Sequence, residues 1–113
     1  MSIINNIFRE RDKIQLRAKK AALREARRIA YILADRFGAK EVVLYGSLAK
    51  KRYFDAASDI DIAVRGLGDK YLKAYGYCLG LSRFNLDIKV YEDMPDSFKS
   101  RVDKQGRLLY AEK

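Results

Sequence analysis

The chain carries two hydrophobic patterns, one with the period of a helix and one with the period of a strand. Residues 8–37 place apolar side chains in steps of three and four with no Gly or Pro between them, and predict one long helix that ends at Gly38. Shorter apolar runs at residues 41–45, 59–64 and 84–91 predict three strands. In the last two runs apolar and polar residues alternate, so we expect one face of each strand to lie against a core.

Two shorter helices are predicted by the same helical period. The first runs from about Lys70 to Ser82, is capped by Asp69, and is expected to bury Leu72, Tyr75 and Leu79. The second begins after Pro95 and ends at Gly106, with Phe98 and Val102 on its core face, and residues 108–110 follow as a docking segment. Strands that alternate with helices predict an α/β (α+β) fold, a small mixed sheet with helices packed on it, in a single domain of residues 1–113.

Composition narrows the chemistry that this domain can perform. Its 113 residues include no histidine and a single cysteine, which excludes Ser-His and Cys-His nucleophile pairs and the usual zinc ligand sets. A single cysteine cannot form an intrachain disulfide and fits a reducing cytoplasm. We find no run that is apolar enough for a membrane helix and no secretory signal, so we expect a cytoplasmic protein that does not bind membranes.

The positive charge is concentrated on the long helix. Ten of the 24 Lys and Arg residues lie at residues 9–36, against four of the 15 Asp and Glu, so this segment carries most of the net charge of +9. A solvated face is the favoured interpretation, because the cations surround much of the helix without interleaved aromatic residues. Binding to nucleic acid, less favoured, and docking to an acidic partner are the alternatives.

Three aspartates are predicted to share one face of the sheet. On the second strand, Asp59 and Asp61 alternate with a core face of Ile60, Ile62 and Val64, and lie about 7 Å apart along the strand. On the third strand, Asp87 alternates with Leu86, Ile88 and Val90 in the same way. If the two strands are neighbours, Asp87 joins the pair on one surface. The alternative is that all three belong only to the polar faces of half-exposed strands.

A small turn precedes the aspartates and suggests what they do. Gly46 and Ser47 follow the first strand directly, and can present backbone N–H groups and a hydroxyl to a phosphate. Asp59 and Asp61 can hold a divalent metal beside that phosphate. In the absence of histidine, oxygen ligands favour magnesium or manganese over zinc.

The residues Gly46-Ser47-Leu48-Ala49-Lys50, followed by Ser58-Asp59-Ile60-Asp61, resemble the signature of the minimal nucleotidyltransferases, the smallest members of the DNA-polymerase-β-like superfamily. The resemblance covers roughly residues 42–91, with residues 41–91 as the catalytic core and the long helix in its usual place before it. It implies the fold of the polymerase β palm. In this chain Lys50-Lys51 stands where many relatives have Arg-Gly.

The resemblance also implies a role for each of these residues. Gly46, Ser47, Lys50 and Ser58 would bind the nucleotide, with the β- and γ-phosphates at Gly46 and Ser47. Asp59 and Asp61 would coordinate two Mg²⁺ ions. Asp87 would complete the metal site and help to deprotonate an incoming hydroxyl. The reaction would be attack of that hydroxyl on the α-phosphate of ATP, with pyrophosphate as the leaving group.

Members of this size usually lack an acceptor-binding domain, and many resemble the antitoxin half of toxin–antitoxin modules. The resemblance implies a partner protein as the acceptor: a helical HEPN ribonuclease toxin, silenced by adenylylation of a tyrosine. Two other functions stay open, namely a non-catalytic antitoxin of the same fold that acts by contact alone, and a small basic nucleic-acid-binding protein. A homo-oligomer is also left open.

Overall fold

The computed structural model describes residues 3–49 and 58–113. Within them lie the helices α1 (Ile3–Phe37), α2 (Tyr71–Leu81) and α3 (Asp96–Gln105), and the strands β1 (Glu41–Tyr45), β2 (Asp59–Arg65), β3 (Asn85–Val90) and β4 (Arg107–Ala111). Short 3₁₀ turns at Gly46–Leu48, Gly68–Lys70 and Tyr91–Asp93 follow β1, precede α2 and follow β3.

The four strands form one mixed sheet in the order β3-β2-β1-β4. β1 is antiparallel to both of its neighbours, whereas β2 and β3 run parallel because α2 carries the chain back between them. β1 and β2 are the central strands, and the apolar sequences of β1 and of residues 62–64 in β2 suit burial on both faces. The predicted α/β fold, a small mixed sheet with helices packed on it, is confirmed.

Helices cover the two faces of the sheet unequally. One face packs against α1 and α2 through a large core that includes Ile60, Ile62 and Ile88. The other face has a smaller cluster, in which Ala63 of β2 packs with Val102 of α3 and with other residues. Since α3 reaches only the Ala63 end of β2, the end that carries Asp59 and Asp61 is left more open.

Helix α1 begins at Ile3, five residues before the predicted start at residue 8. Among its described side chains, the buried ones are confined to the second half, from Ala22 to Leu33. The first half therefore extends beyond the core, in keeping with a longest dimension of 56 Å. In the part of the chain that the structure describes, no helix combines the length and apolarity needed to cross a bilayer.

Helix α2 corrects the predicted core face. Leu72 is 80% exposed and Leu79 is also exposed, whereas Ala74 and Cys78 are fully buried. The reason is the position of α2 beside the edge strand β3, where small side chains allow close approach and tyrosines reach the strand. The hydroxyls of Tyr71 and Tyr75 donate to the carbonyl oxygens of Ile88 and Leu86 at 2.5 and 2.8 Å. These bonds satisfy groups that an edge strand otherwise exposes.

Three further predictions about local structure differ from the structure. Asp69 lies in the 3₁₀ turn Gly68–Lys70, and α2 begins without a side-chain cap. Phe98 of α3 was predicted as core but is 41% exposed, whereas Val102, one turn further along the helix, is buried as predicted. Residues 107–111 form a strand, β4, which pairs with β1.

Candidate functional site

The chain leaves β1 through a tight turn that lies against β2. Gly46 has φ +74°, a conformation that L-residues rarely adopt, and a Cβ at this position would overlap the Asp61 carboxylate. The following 3₁₀ turn is anchored by buried Leu48 and closed by a backbone bond from the Ala49 N–H to the Gly46 carbonyl. The turn that was predicted to bind phosphate is therefore packed directly against one of the predicted metal ligands.

The register of the sheet brings two of the aspartates side by side. Asp61 of β2 is paired with Asp87 of β3 on one side and with Tyr45 of β1 on the other. Asp59 is paired with Asn85, two residues back along the same strands. Neighbouring strands are about 4.8 Å apart, so Tyr45, Asp61 and Asp87 form a row across the sheet beside Gly46. The arrangement that strand alternation predicted is present.

Exposure falls along β2 from its first residue. Asp59 is exposed, Asp61 is half-buried and Ala63 is buried beneath α3. The aspartates therefore line an open edge of the face that α3 partly covers, where a ligand from solvent can reach them.

Charges within the row are strongly coupled. The pKa of the Asp61 carboxyl is raised to about 6, mainly by burial and then by the negative charges of Asp87 and Asp59, against the opposing effect of the Lys89 ammonium. Lys89 Nζ lies 2.8 Å from Asp87 Oδ2, and this bond raises the pKa of Lys89. Lys89 thus neutralises Asp87, while Asp61 carries a negative charge at neutral pH that lacks a similarly close cation among the described residues.

The candidate metal ligands are near one another, but their carboxylates do not point at a common position. Within residues 3–49 and 58–113, no three His, Cys, Asp or Glu side chains form a group spaced for a metal ion. Asp87 is held by Lys89, and Asp59 extends toward solvent. The donor set still fits a hard divalent cation, because Asp59, Asp61 and Asp87 are all carboxylates on one face of a rigid sheet.

Two of the predicted nucleotide-binding positions lie at or beyond the ends of the two described segments. Ser58 is half-buried and directly precedes Asp59 at the start of β2. Lys50 lies outside the described residues.

Comparison with known proteins decides the family. The profile of the family described as "Polymerase beta, Nucleotidyltransferase" matches residues 27–113, which include about the last third of α1 and all the later elements. The chain belongs to this nucleotidyltransferase family. This confirms the recognition made from the Gly46-Ser47 and Asp59-x-Asp61 motifs. No protein with a curated description matches the sequence.

Solved structures of similar fold agree with the family. A candidate nucleotidyltransferase from Sulfolobus solfataricus has a TM-score of 0.58 at 28% identity, over 86% of this chain and 86% of that one. A variant of the toxin–antitoxin pair MntA–HpeT, with two aspartates two positions apart replaced by glutamate, has a TM-score of 0.63 at 17% identity. That match covers 78% of this chain and 74% of the other.

Sequence reasoning missed two residues of this nucleotidyltransferase site. Lys89 lies two residues after Asp87 on the same face of β3, but its bond to Asp87 was not anticipated. Tyr45 was assigned only to a buried strand, yet its side chain lies next to Asp61 in the row. The signal was available in part: Tyr45 directly precedes the Gly46-Ser47 turn, so its face follows once β1 and β2 are paired.

Tyr45 is unusual because its hydroxyl is buried and makes no well-formed hydrogen bond among the described residues, although the Lys89 ammonium lies close enough to interact with it. The residue is 7% exposed. Burial raises the pKa of its hydroxyl, which lies within the electrostatic influence of Lys89, Asp61 and Asp87. An unsatisfied buried polar group costs about 1–3 kcal/mol, so this hydroxyl is a destabilising feature located at the site.

We therefore expect Tyr45→Phe to stabilise the ligand-free protein by about 1 kcal/mol, because it removes the unsatisfied hydroxyl and keeps the ring. The matched control is Tyr71→Phe, which removes a hydroxyl that does donate, to the Ile88 carbonyl, and should destabilise by about 1 kcal/mol. Urea unfolding of both variants measures the difference. A Tyr45→Phe protein no more stable than the native one would mean that the hydroxyl is satisfied after all.

Proposed function

We propose that this protein is a Mg²⁺-dependent nucleotidyltransferase that transfers AMP from ATP to a hydroxyl of a partner protein and so acts as an antitoxin. The acceptor we propose is a tyrosine of a helical HEPN-type ribonuclease toxin, in the cytoplasm. The observation that carries the proposal is the contact of the Gly46 turn with Asp61, in the row where Asp61 stands beside Asp87. This contact joins a phosphate-binding turn to a carboxylate pair on rigid strands.

The turn supplies the nucleotide-binding part of the mechanism. Ser47 and the backbone N–H groups after Gly46 would hold the β- and γ-phosphates of ATP, since consecutive N–H groups in such a turn favour anions. The Gly46 conformation leaves no side chain between the phosphates and Asp61. Lys50 and Ser58 would contribute further contacts to the nucleotide.

The carboxylates supply the metal-binding part. Asp59, Asp61 and Asp87 would hold magnesium, with two ions expected from the resemblance. Bound magnesium would polarise the phosphates and offset the negative charge that develops on them during transfer. To join this site, Asp87 must exchange its bond with the Lys89 ammonium for a bond to the metal.

The chemical step is a balanced displacement at phosphorus. The acceptor hydroxyl oxygen forms a bond to the α-phosphorus, the bond from that phosphorus to the bridging oxygen of the β-phosphate breaks, and pyrophosphate leaves. Asp87, at the β3 side of the row, would accept the proton of the hydroxyl. Asp61, which lies between Tyr45 and Asp87 in the row, would keep the nucleotide and the acceptor on one surface.

The toxin–antitoxin part of the proposal is supported by the structural similarity to MntA–HpeT. Two aspartates are substituted in that structure at the spacing that separates Asp59 from Asp61 here. In this chain, α1 to β4 contain no separate acceptor-binding domain within residues 3–49 and 58–113, in keeping with an acceptor that belongs to a partner protein.

A label-transfer experiment tests the proposal. The native protein and a folded Asp59→Asn/Asp61→Asn variant are incubated with host lysate, Mg²⁺ and each of the four nucleoside triphosphates labelled at the α-phosphate. We expect one labelled protein with ATP, absent with the variant and absent when EDTA is added. If the folded native protein transfers label from none of the four nucleotides, the proposed enzymatic activity is contradicted. Neutralisation of a toxin by that same inactive protein would instead establish the contact antitoxin.

A further inference from the structure

A cavity of about 320 Å³ lies beside the aspartate row, between the end of β3 and the start of α3. Its walls are mainly apolar or aromatic, from Tyr71, Val90, Met94, Pro95 and Phe98. This volume falls within the range of small-molecule sites in proteins, about 300–1,000 Å³. The residue types favour a flat apolar group as the occupant.

One wall of the cavity is connected directly to the row. Lys89 lines the cavity and its ammonium group bonds the Asp87 carboxylate at 2.8 Å. A polar atom at the Lys89 end of the cavity would therefore lie next to Asp87. Asp93 is the second charged residue of the lining. An apolar occupant with one hydroxyl at its end matches this combination of apolar walls and a polar boundary at Lys89.

The order of the strands places this cavity opposite the phosphate turn. The Gly46 turn follows β1, the Asp59 and Asp61 pair is on β2, and the cavity lies beyond Asp87 on the edge strand β3. Phosphoryl transfer requires the attacking oxygen and the leaving oxygen to be roughly in line, on opposite sides of the phosphorus. If the turn holds the leaving phosphates, the cavity is on the side from which the acceptor must approach.

Phe98 is the large apolar side chain of the cavity wall that a bound ligand would cover. It lies on the first turn of α3, was predicted to be core, and is 41% exposed at the cavity instead. Its ring lies 5.4 Å from the Arg101 guanidinium carbon, measured to the ring centroid. Aromatic rings pair favourably with other rings, by edge-to-face or offset contacts.

We propose that this cavity binds the aromatic ring of the acceptor, a phenol side chain supplied by the partner protein, with its hydroxyl directed along Lys89 toward Asp87. The inference rests on the proposed nucleotidyl transfer for the identity of the hydroxyl group. The binding of the ring itself can be measured without nucleotide, metal or turnover.

The experiment is an amide-resonance titration of the full chain by NMR, in EDTA, with N-acetyl-L-tyrosinamide as the probe. We expect saturable shifts at Val90, Met94 and Phe98, and binding about three- to tenfold weaker in Phe98→Ala, the range that an aromatic pair supplies. The matched control is Leu108→Ala, which truncates another exposed apolar residue, 59% exposed on β4, and should leave the affinity unchanged.

A second arm uses adenosine in place of the phenol, since a nucleobase is the other flat ring that the proposed reaction would bring. We expect adenosine not to compete with the probe at these residues. Saturation of the same resonances by adenosine, or no saturable shifts with the phenol, would overturn the inference.

The two proposals fail in different ways. Binding of the ring without label transfer would support the proposed ring-binding cavity and contradict the proposed nucleotidyl transfer. Where transfer is observed, we expect Phe98→Ala to raise the KM for the acceptor about three- to tenfold with little change in kcat. Transfer with an unchanged acceptor KM in Phe98→Ala would support the proposed nucleotidyl transfer and contradict the binding of the acceptor ring in this cavity.

Discussion

The Asp61→Asn protein should be more stable than the native protein at pH 8 and should have lost nucleotidyl transfer. Asp61 is half-buried beside Asp87 and Asp59, and the pKa of its carboxyl is raised from 3.8 to about 6. The folded state therefore binds a proton more tightly than the unfolded state does. Its contribution to stability is present below about pH 4 and falls as the pH rises through 6, so the ionised group destabilises the fold above that range.

The size of this effect follows from the shift. About two pH units correspond to about 3 kcal/mol, which solvent screening of a half-buried carboxylate reduces to about 1–2 kcal/mol. Thermal unfolding in EDTA at pH 8 should show the Asp61→Asn midpoint higher by about 4–8 °C, with the difference gone near pH 4. Asp69→Asn removes an exposed carboxylate before α2 and serves as the control for net charge.

Activity should respond in the opposite direction. Loss of a metal ligand removes several kcal/mol of transition-state stabilisation, so we expect transfer to fall by roughly three orders of magnitude. Added Mg²⁺ should raise the unfolding temperature of the native protein and not that of the variant. A variant that is less stable at pH 8, or that keeps full activity, would contradict the assignment of Asp61.

Gly46→Ala should destabilise the protein and abolish transfer together. The residue has φ +74°, and the added Cβ would overlap the Asp61 carboxylate. The backbone conformation alone costs about 1–2 kcal/mol for an L-residue, and the overlap forces either the turn or Asp61 to move. We expect a total loss of about 2–3 kcal/mol in urea unfolding, with nucleotide binding lost because the turn is displaced.

Gly68→Ala is the matched control for the cost of placing an L-residue in a backbone conformation with positive φ. Gly68 has φ +56°, and a Cβ there meets nothing within 4 Å, so only the conformational cost of about 1–2 kcal/mol applies. In an Asp61→Ala background the overlap with the carboxylate disappears and only the contact with the residue 61 Cβ at 3.3 Å remains, so the cost of Gly46→Ala should fall toward that of Gly68→Ala. Equal costs of Gly46→Ala in both backgrounds would mean that turn and carboxylate are not in contact.

Much of the sheet could be predicted because period-two alternation is a local property. Ile60 and Ile62 identify the core face of β2 from their spacing alone, and Asp59 and Asp61 must then share the opposite face. The Gly-Ser motif could be recognised for the same reason, since the turn needs a residue that tolerates positive φ at one position.

The helices were harder because their orientation depends on what they contact. On α2, apolar residues occupy several faces, and sequence did not show that Leu72 and Leu79 would be exposed while Ala74 faces the core. The deciding factor was the edge of β3, whose free carbonyls accept bonds from Tyr71 and Tyr75. On α3, Phe98 is exposed and Val102 is buried, a difference that their spacing on the same face does not predict.

The sequence by itself determined the first three strands, the faces of the aspartates and the family, because each depends on the spacing of residues close together in the chain. Only the tertiary structure decided which side chains meet across strands. The pairing of Asp61 with Asp87, the bond between Lys89 and Asp87, and the position of Tyr45 depend on register and strand order. These are set by packing of distant segments into one core, which local spacing does not encode.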